Sequence, residues 1–126
     1  MQSLTFILLA LAATEPPRVV VEGQPLAAQV ERLMEAYTFL GTPLPEAQAL
    51  DLGKAIRAQD GIELQRLLDS AVTFVVTINP EARVKVDRGP GPARLQQHGH
   101  TPLLVKVINE AATTAALRIV SPQAGP

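Results

Sequence analysis

Apolar positions recur with a helical period through the first half of the chain and with strict alternation through the second. The switch falls at Val72-Thr73-Phe74-Val75-Val76-Thr77-Ile78. In that run Val72, Phe74, Val76 and Ile78 share one face. In the next run Ala82, Val84 and Val86 do the same, with Arg83 and Lys85 opposite. Two half-buried strands are therefore predicted to meet at Asn79-Pro80.

Upstream of the switch, Val19-Val20-Val21 is a short β-branched run, a candidate strand that Glu22-Gly23-Gln24-Pro25 breaks at once. Pro25 suits the first turn of a helix, where its missing N–H is no loss. From there Leu26, Val30, Leu33, Tyr37 and Leu40, with Met34 beside them, form one apolar stripe on a helix of roughly 25 Å. Gly41 and Pro43 stop it. A second helix restarts at Leu44-Pro45 and buries Ala49, Leu52 and Ile56, with Gly53 weakening it by about 1 kcal/mol. Asp60-Gly61-Ile62-Glu63 has the form of an N-cap followed by a glutamate that reaches back, and opens a third helix. Leu64, Leu67, Leu68 and Ala71 are expected to line its buried side. Helices this short need partners, so they must pack on one another or on a sheet.

Downstream, Asp87-Arg88-Gly89-Pro90-Gly91-Pro92 is a hard break, and positions 93–101 carry no clear period. After Pro102, Leu103, Val105 and Val107 alternate with Leu104, Lys106 and Ile108, apolar on both sides as in a central strand. Asn109 to Thr114 then leads to Ala115, Leu117 and Ile119, alternating with Ala116, Arg118 and Val120, which predicts the second strand of a hairpin. The expected fold is α+β: a helical region of two to three helices over residues 14–71, then about four antiparallel strands over 72–126 forming part of an immunoglobulin-like β-sandwich. Four strands fall short of the usual seven, so the sheet is expected to be unfinished, either because more strands follow in a longer parent or because the helices cover its exposed face.

Composition narrows the function classes. A net charge of -1 from 11 basic and 12 acidic side chains gives no field for polyanions, and 3% aromatic content leaves few rings for stacking. Nucleic acid is not expected as a partner. No cysteine is present, which removes disulfides, thiolate metal sites and cysteine nucleophiles. With 47% hydrophobic residues the chain can build a core from packing alone.

The run Leu4 to Ala13 is uncharged, apolar and ends in small residues, the length of a signal-peptide core and too short to span a bilayer. Residues 1–13 are accordingly predicted to be a signal peptide, with the mature chain starting near Thr14, exported to the periplasm or outside the cell and without a membrane anchor after cleavage. The competing reading is a buried N-terminal helix or strand, since no Lys or Arg precedes the run.

Few residues suggest chemistry. His98-Gly99-His100 could place two imidazoles on one metal, but a site needs a third ligand and the chain has no further His. An exposed loop pair is the plainer expectation, and no cofactor is expected in this chain. Glu81 and Arg83 could form a charge pair in a binding loop; the alternative is a kinked connection in which Asn79 caps local backbone. Arg83, Lys85, Arg88 and Arg94 form a locally basic edge, fit for an acidic partner or for protection against strand aggregation. Asp51, Asp60 and Asp69 recur every nine residues, but turns interrupt the run and no site is expected of them. No Ser, Thr or Tyr stands in a nucleophile-elbow arrangement, so no catalytic residue is assigned.

The strings Ile78-Asn79-Pro80-Glu81-Ala82-Arg83-Val84-Lys85-Val86, Arg88-Gly89-Pro90 and Leu103-Leu104-Val105-Lys106-Val107-Ile108-Asn109-Glu110, with Leu117-Arg118-Ile119 and 121–126, resemble the N-terminal region of secreted bacterial CehA/McbA-type metallohydrolases. The segments Gly23-Gln24-Pro25-Leu26-Ala27-Ala28 and Phe39-Leu40-Gly41-Thr42-Pro43-Leu44-Pro45 are similar to the same region. Members of that family carry a PHP-like metal-dependent hydrolase domain. The resemblance implies a non-catalytic accessory region whose partner is that downstream domain, with every metal ligand beyond Pro126. His98 and His100 depart from the family's glycine-rich pattern there. The alternative is a complete small extracytoplasmic module that binds another protein by strand addition.

Overall fold

The computed structural model describes residues 14–120, so the Leu4 to Ala13 run and 121–126 lie outside the described residues. The elements are α1 (Gly23–Phe39), α2 (Glu46–Ala58), α3 (Gly61–Asp69), β1 (Val72–Ile78), β2 (Val84–Arg88) and β3 (Leu104–Asn109). The chain is thus α+β, three helices followed by a sheet in the order β2-β1-β3.

The helices bury one another's stripes. Leu52 and Leu64 are fully enclosed at the centre, with Ala27, Val30 and Ala55 around them, and Leu26, Met34, Leu44, Ile56, Leu67 and Leu68 pack on that core half-buried. Close approach at one corner requires Gly23: a Cβ there would lie 1.7 Å from the Gln59 carbonyl oxygen, so the start of α1 sits directly on the α2–α3 turn. Gln59 ends α2 in the left-handed region (φ 51). Asp60 then caps α3, its carboxylate accepting from the Glu63 backbone N–H at 3.0 Å. The second half of the expected capping box does not form. The Glu63 carboxylate takes Arg66 in two hydrogen bonds of 2.7 and 2.6 Å, a charge-assisted pair stronger than a bond back to a backbone N–H.

β1 is the central strand. Thr73 and Val75 are as buried as Val72, Val76 and Ile78, so the expected one-sided alternation gives way to burial on both faces. β1 and β2 form an antiparallel hairpin in which Val76 pairs with Val86 and Ile78 with Val84. Its turn is closed by Ala82 N–H to the Asn79 carbonyl (2.8 Å) and by Arg83 N–H to Asn79 Oδ1 (2.8 Å), with Ala82 at φ 59. This is the local capping by Asn79 anticipated above, a short hairpin loop ending in a left-handed residue. Beyond β2, Gly89 and Gly91 donate to the Thr73 and Val72 carbonyls at 2.9 and 2.7 Å. Only glycine fits there, since a Cβ on Gly89 would lie 2.2 Å from the Val72 oxygen.

The expectation of four antiparallel strands is corrected in two respects. Among the described residues there are three strands, and β3 runs parallel to β1, Val76 pairing with Val107 and Ile78 with Asn109. Positions 115–120 form no strand. Two causes are visible. Asn109 builds its own turn, donating to the Thr113 carbonyl (2.8 Å) and accepting from Ala111 N–H (3.2 Å), directly after Glu110 N–H closes the parallel ladder on the Ile78 carbonyl (2.8 Å). A hairpin register that paired Leu117 and Ile119 with Val107 and Val105 would also set Arg118 opposite Lys106, and like charges directly opposite destabilise a ladder. Val19-Val20-Val21 is likewise not a strand.

Candidate functional site

The most developed polar structure joins the N-terminal arm, α3 and β3. Asp69 closes α3 with its side chain only 4% exposed. Its Oδ1 accepts from Lys106 Nζ at 2.9 Å and its Oδ2 from Arg18 Nε at 2.8 Å. Arg18 extends the chain of charges outward to Glu15. One turn earlier on the same face, Gln65 takes the place of a strand for the arm: Val19 N–H donates to Oε1 (3.0 Å), and Nε2 donates to the Val19 carbonyl (2.7 Å) and the Gly61 carbonyl (2.9 Å). Every buried side-chain donor and acceptor among the described residues has a partner. With both carboxylate oxygens of Asp69 engaged, the triad clamps three segments and leaves neither a free base nor a nucleophile.

Beside this clamp lies a cavity of about 350 Å³. Leu26, Val30 and Leu33 of α1 line it on one side, the whole length of β3 with Glu110 just beyond it lines the other, and Val19 and Val21 of the arm also border it. Leu64, Leu68, Asp69 and Val72 make its floor. Among the described residues β3 is an edge strand, and the wall it provides includes a row of backbone groups with no strand partner there.

The sheet itself offers a second surface. Cross-strand partners share a face, so Phe74, Val76, Ile78, Val84, Val86, Val105 and Val107 lie together. On that face Val84, Val86 and Val107 are 54%, 57% and 48% exposed. The opposite face carries Val75 and its partner Lys106, which the bond to Asp69 turns towards α3.

The expected basic edge is engaged at two of its four positions. Arg88 is drawn onto backbone carbonyls, donating to Thr73 (2.6 Å), Gly89 (2.9 Å) and Gly91 (2.7 Å) with its guanidinium 5.6 Å from the centre of the Phe74 ring. Lys85 pairs with Asp87 at 3.2 Å. Arg83 and Arg94 are exposed, and among the described residues Arg83 makes no ion pair with Glu81.

His98 and His100 are both exposed in the loop before β3, with His98 in the left-handed region at φ 61. No group of three or more His, Asp or Glu side chains able to hold a metal comes together among the described residues. Asp51 and Asp60 stay exposed on α2 and at the α3 cap, while Asp69 is the buried partner of Lys106. Three side chains are displaced from their ordinary ranges, Arg66 upward by its hydrogen bonds to Glu63. The Arg66 hydrogen bonds hold the Glu63 carboxyl low, and partial burial pushes the Tyr37 hydroxyl up.

Sequence reasoning found the turns and stripes but missed Gln65 and Asp69. Their partners lie 46 and 51 residues away, too far for a local pattern to reveal. The signal present was two polar residues four apart on the same helix as Leu64 and Leu68.

Compared with protein-family models, with curated proteins and with solved structures, the chain shows no match in any of the three. No helix among the described residues is long and apolar enough to cross a membrane.

Proposed function

We propose that this chain is an exported, non-catalytic accessory region that packs the open face of its sheet against a second folded domain, downstream in the same polypeptide or in another protein. The observation that supports it most is the half-exposure of Val84, Val86 and Val107 on a face otherwise built of Phe74, Val76, Ile78 and Val105. Exposed valines grouped around the buried Val76 and Ile78 are the kind of apolar surface that marks interaction sites. The resemblance to CehA/McbA-type metallohydrolases gives the partner its identity, a metal-dependent hydrolase domain that would supply all metal ligands. A partner contributing a second sheet across this face would complete an immunoglobulin-like sandwich. A second reading, a small extracytoplasmic module that holds a protein partner by strand addition, draws on the edge position of β3 among the described residues.

The test is the intact mass and N-terminal residue of the product in its native cell. A product far heavier than 13.4 kDa beginning near Thr14 supports export and the accessory role. One slightly lighter than 13.4 kDa favours the small module, and retention of Met1 overturns export. In the heavier product, Val84→Glu with Val86→Glu should speed proteolytic separation of the two parts; unchanged cleavage would refute docking through this face.

A further inference from the structure

The arm ahead of α1 is β-branched at Val19-Val20-Val21, yet it belongs to no strand and is fastened by side chains of a single helix. Gln65 holds the Val19 N–H and carbonyl, and Asp69, one turn further along α3, holds the Arg18 guanidinium. Among the described residues, Arg18 to Val21 make no backbone-to-backbone hydrogen bond. The arm also has little apolar surface to lose, since Pro16 alone of residues 14–22 is buried and Val20 is 88% exposed. Its junction with the helix is fixed. Glu22 is the extended N-cap of α1, and Gly23 is wedged against the Gln59 carbonyl, so α1 is pinned on the α2–α3 turn from its first residue.

We propose that residues 14–22 form a strap that opens as a unit about Glu22. Opening uncovers the Asp69 carboxylate and the Val19 and Val21 border of the cavity, while helices and sheet stay folded. The strap has two stable positions because the groups that fasten it keep a partner in both. With the arm released, Gln65 Nε2 retains the Gly61 carbonyl (2.9 Å), Asp69 Oδ1 retains Lys106 (2.9 Å) and Arg18 retains Glu15. The Val19 backbone groups and the vacated Asp69 Oδ2 and Gln65 Oε1 pass to water. No buried charge is left alone, which is the condition that would tie the arm to global unfolding. Segments held by few apolar contacts are those that open locally. The closed strap thus supplies its own cation, Arg18, to a carboxylate oxygen beside an apolar cavity, and opening vacates that position. The device goes beyond the accessory reading and does not depend on what the sheet face meets.

The test is hydrogen exchange of the full chain, followed residue by residue through increasing urea. The Val19 amide, which donates to Gln65, should exchange at least about tenfold slower than in an unstructured peptide, through an opening that barely responds to urea. Val76 in β1 should be at least about a hundredfold better protected, with the steep urea dependence of global unfolding. The uncovering is read by mass spectrometry after treatment with a water-soluble carbodiimide and glycine ethyl ester, which convert an accessible carboxylate to an amide. Arg18→Ala with Val19→Pro takes the guanidinium and the Val19 N–H out of the fastening. In that variant Asp69 should react about tenfold faster than in the unaltered chain, with Val76 still protected. A Val19 amide with the urea dependence of Val76 would overturn the strap, because the arm would then open only with the whole fold. One as fast as in a peptide would show that the strap is never closed. Unfolding of the double variant, or an Asp69 in it no more reactive than before, would overturn the proposal equally.

Discussion

Asp69, the last residue of α3, and Lys106, in the middle of β3, form a largely buried ion pair at 2.9 Å that spans the boundary between helices and sheet. Arg18 occupies the other carboxylate oxygen, so the arm and the sheet are held by the same side chain. Removing the carboxylate strands Lys106 in a poorly solvated place, while Arg18, one third exposed, keeps Glu15. Asp69→Ala is expected to destabilise the fold by about 3–5 kcal/mol in chemical denaturation, whereas Asp69→Leu combined with Lys106→Met should cost clearly less because no buried charge is left without a partner. Equal losses for the two variants would show that the pair contributes little as a pair.

Gln65 holds the arm through Val19 by two hydrogen bonds. Gln65→Leu keeps the volume and removes both, leaving the Val19 groups and the Gly61 carbonyl to find water. A loss of about 1–3 kcal/mol is expected, with faster exchange at the Val19 amide and faster proteolysis between Thr14 and Glu22. An unchanged Val19 exchange rate would mean the arm is held by its apolar contacts alone.

Two glycines in helices should respond in opposite directions. Gly53 has open space around its missing Cβ, its nearest neighbour being the flexible end of Arg57 at 3.5 Å, so Gly53→Ala should stabilise by about 1 kcal/mol. Gly23→Ala forces a Cβ onto the Gln59 carbonyl, which is backbone and cannot swing away. A loss of about 1–3 kcal/mol is expected by thermal unfolding, as for other overpacked positions.

Tyr37 is the one tyrosine of the chain, which makes its titration directly visible in tyrosinate absorbance. Burial raises its hydroxyl pKa above the ordinary 10.0 in the folded state. Folding then favours the neutral phenol. The associated stability is fully present below pH 10.0 and is lost as pH rises through the raised value. Tyr37→Phe should flatten the alkaline end of the stability profile, and a tyrosinate midpoint at or below 10.0 would contradict the burial.

Glu63 behaves in the reverse sense. Its carboxyl is held low by the Arg66 hydrogen bonds, so its contribution is present above the ordinary carboxylate value and fades as pH falls through the lowered one. Because the pair is exposed, Glu63→Gln should produce only a small change near neutrality, and a smaller acid-side slope. A large loss at neutral pH would show that the backbone cap at Asp60 had been disturbed as well.

The helices and the first hairpin were legible in the chain because their causes are local. Leu26, Val30 and Leu33 recur at the period of α1, Asp60 stands three residues before the N–H it caps, and Asn79 closes the turn within which it lies. The partner of β1 on its other side was not legible. Leu103 to Ile108 alternates in the same way whether it pairs parallel or antiparallel, and pattern alone favoured a hairpin with 115–120.

By itself, then, the sequence determined the three helices and the β1–β2 hairpin, through period, capping and turn chemistry acting over a few residues, while its β-branched run at 19–21 and its alternation at 115–120 produced no strand. Only the tertiary structure decided the parallel placement of β3, the burial of Asp69 and Gln65, and the groove between β3 and α1. Each depends on groups far apart in the chain, Asp69 on Arg18 and Lys106, Gln65 on Val19, and β3 on β1. Such contacts form only when the folded chain brings an unsatisfied donor and acceptor together away from water, a condition that no local spacing records.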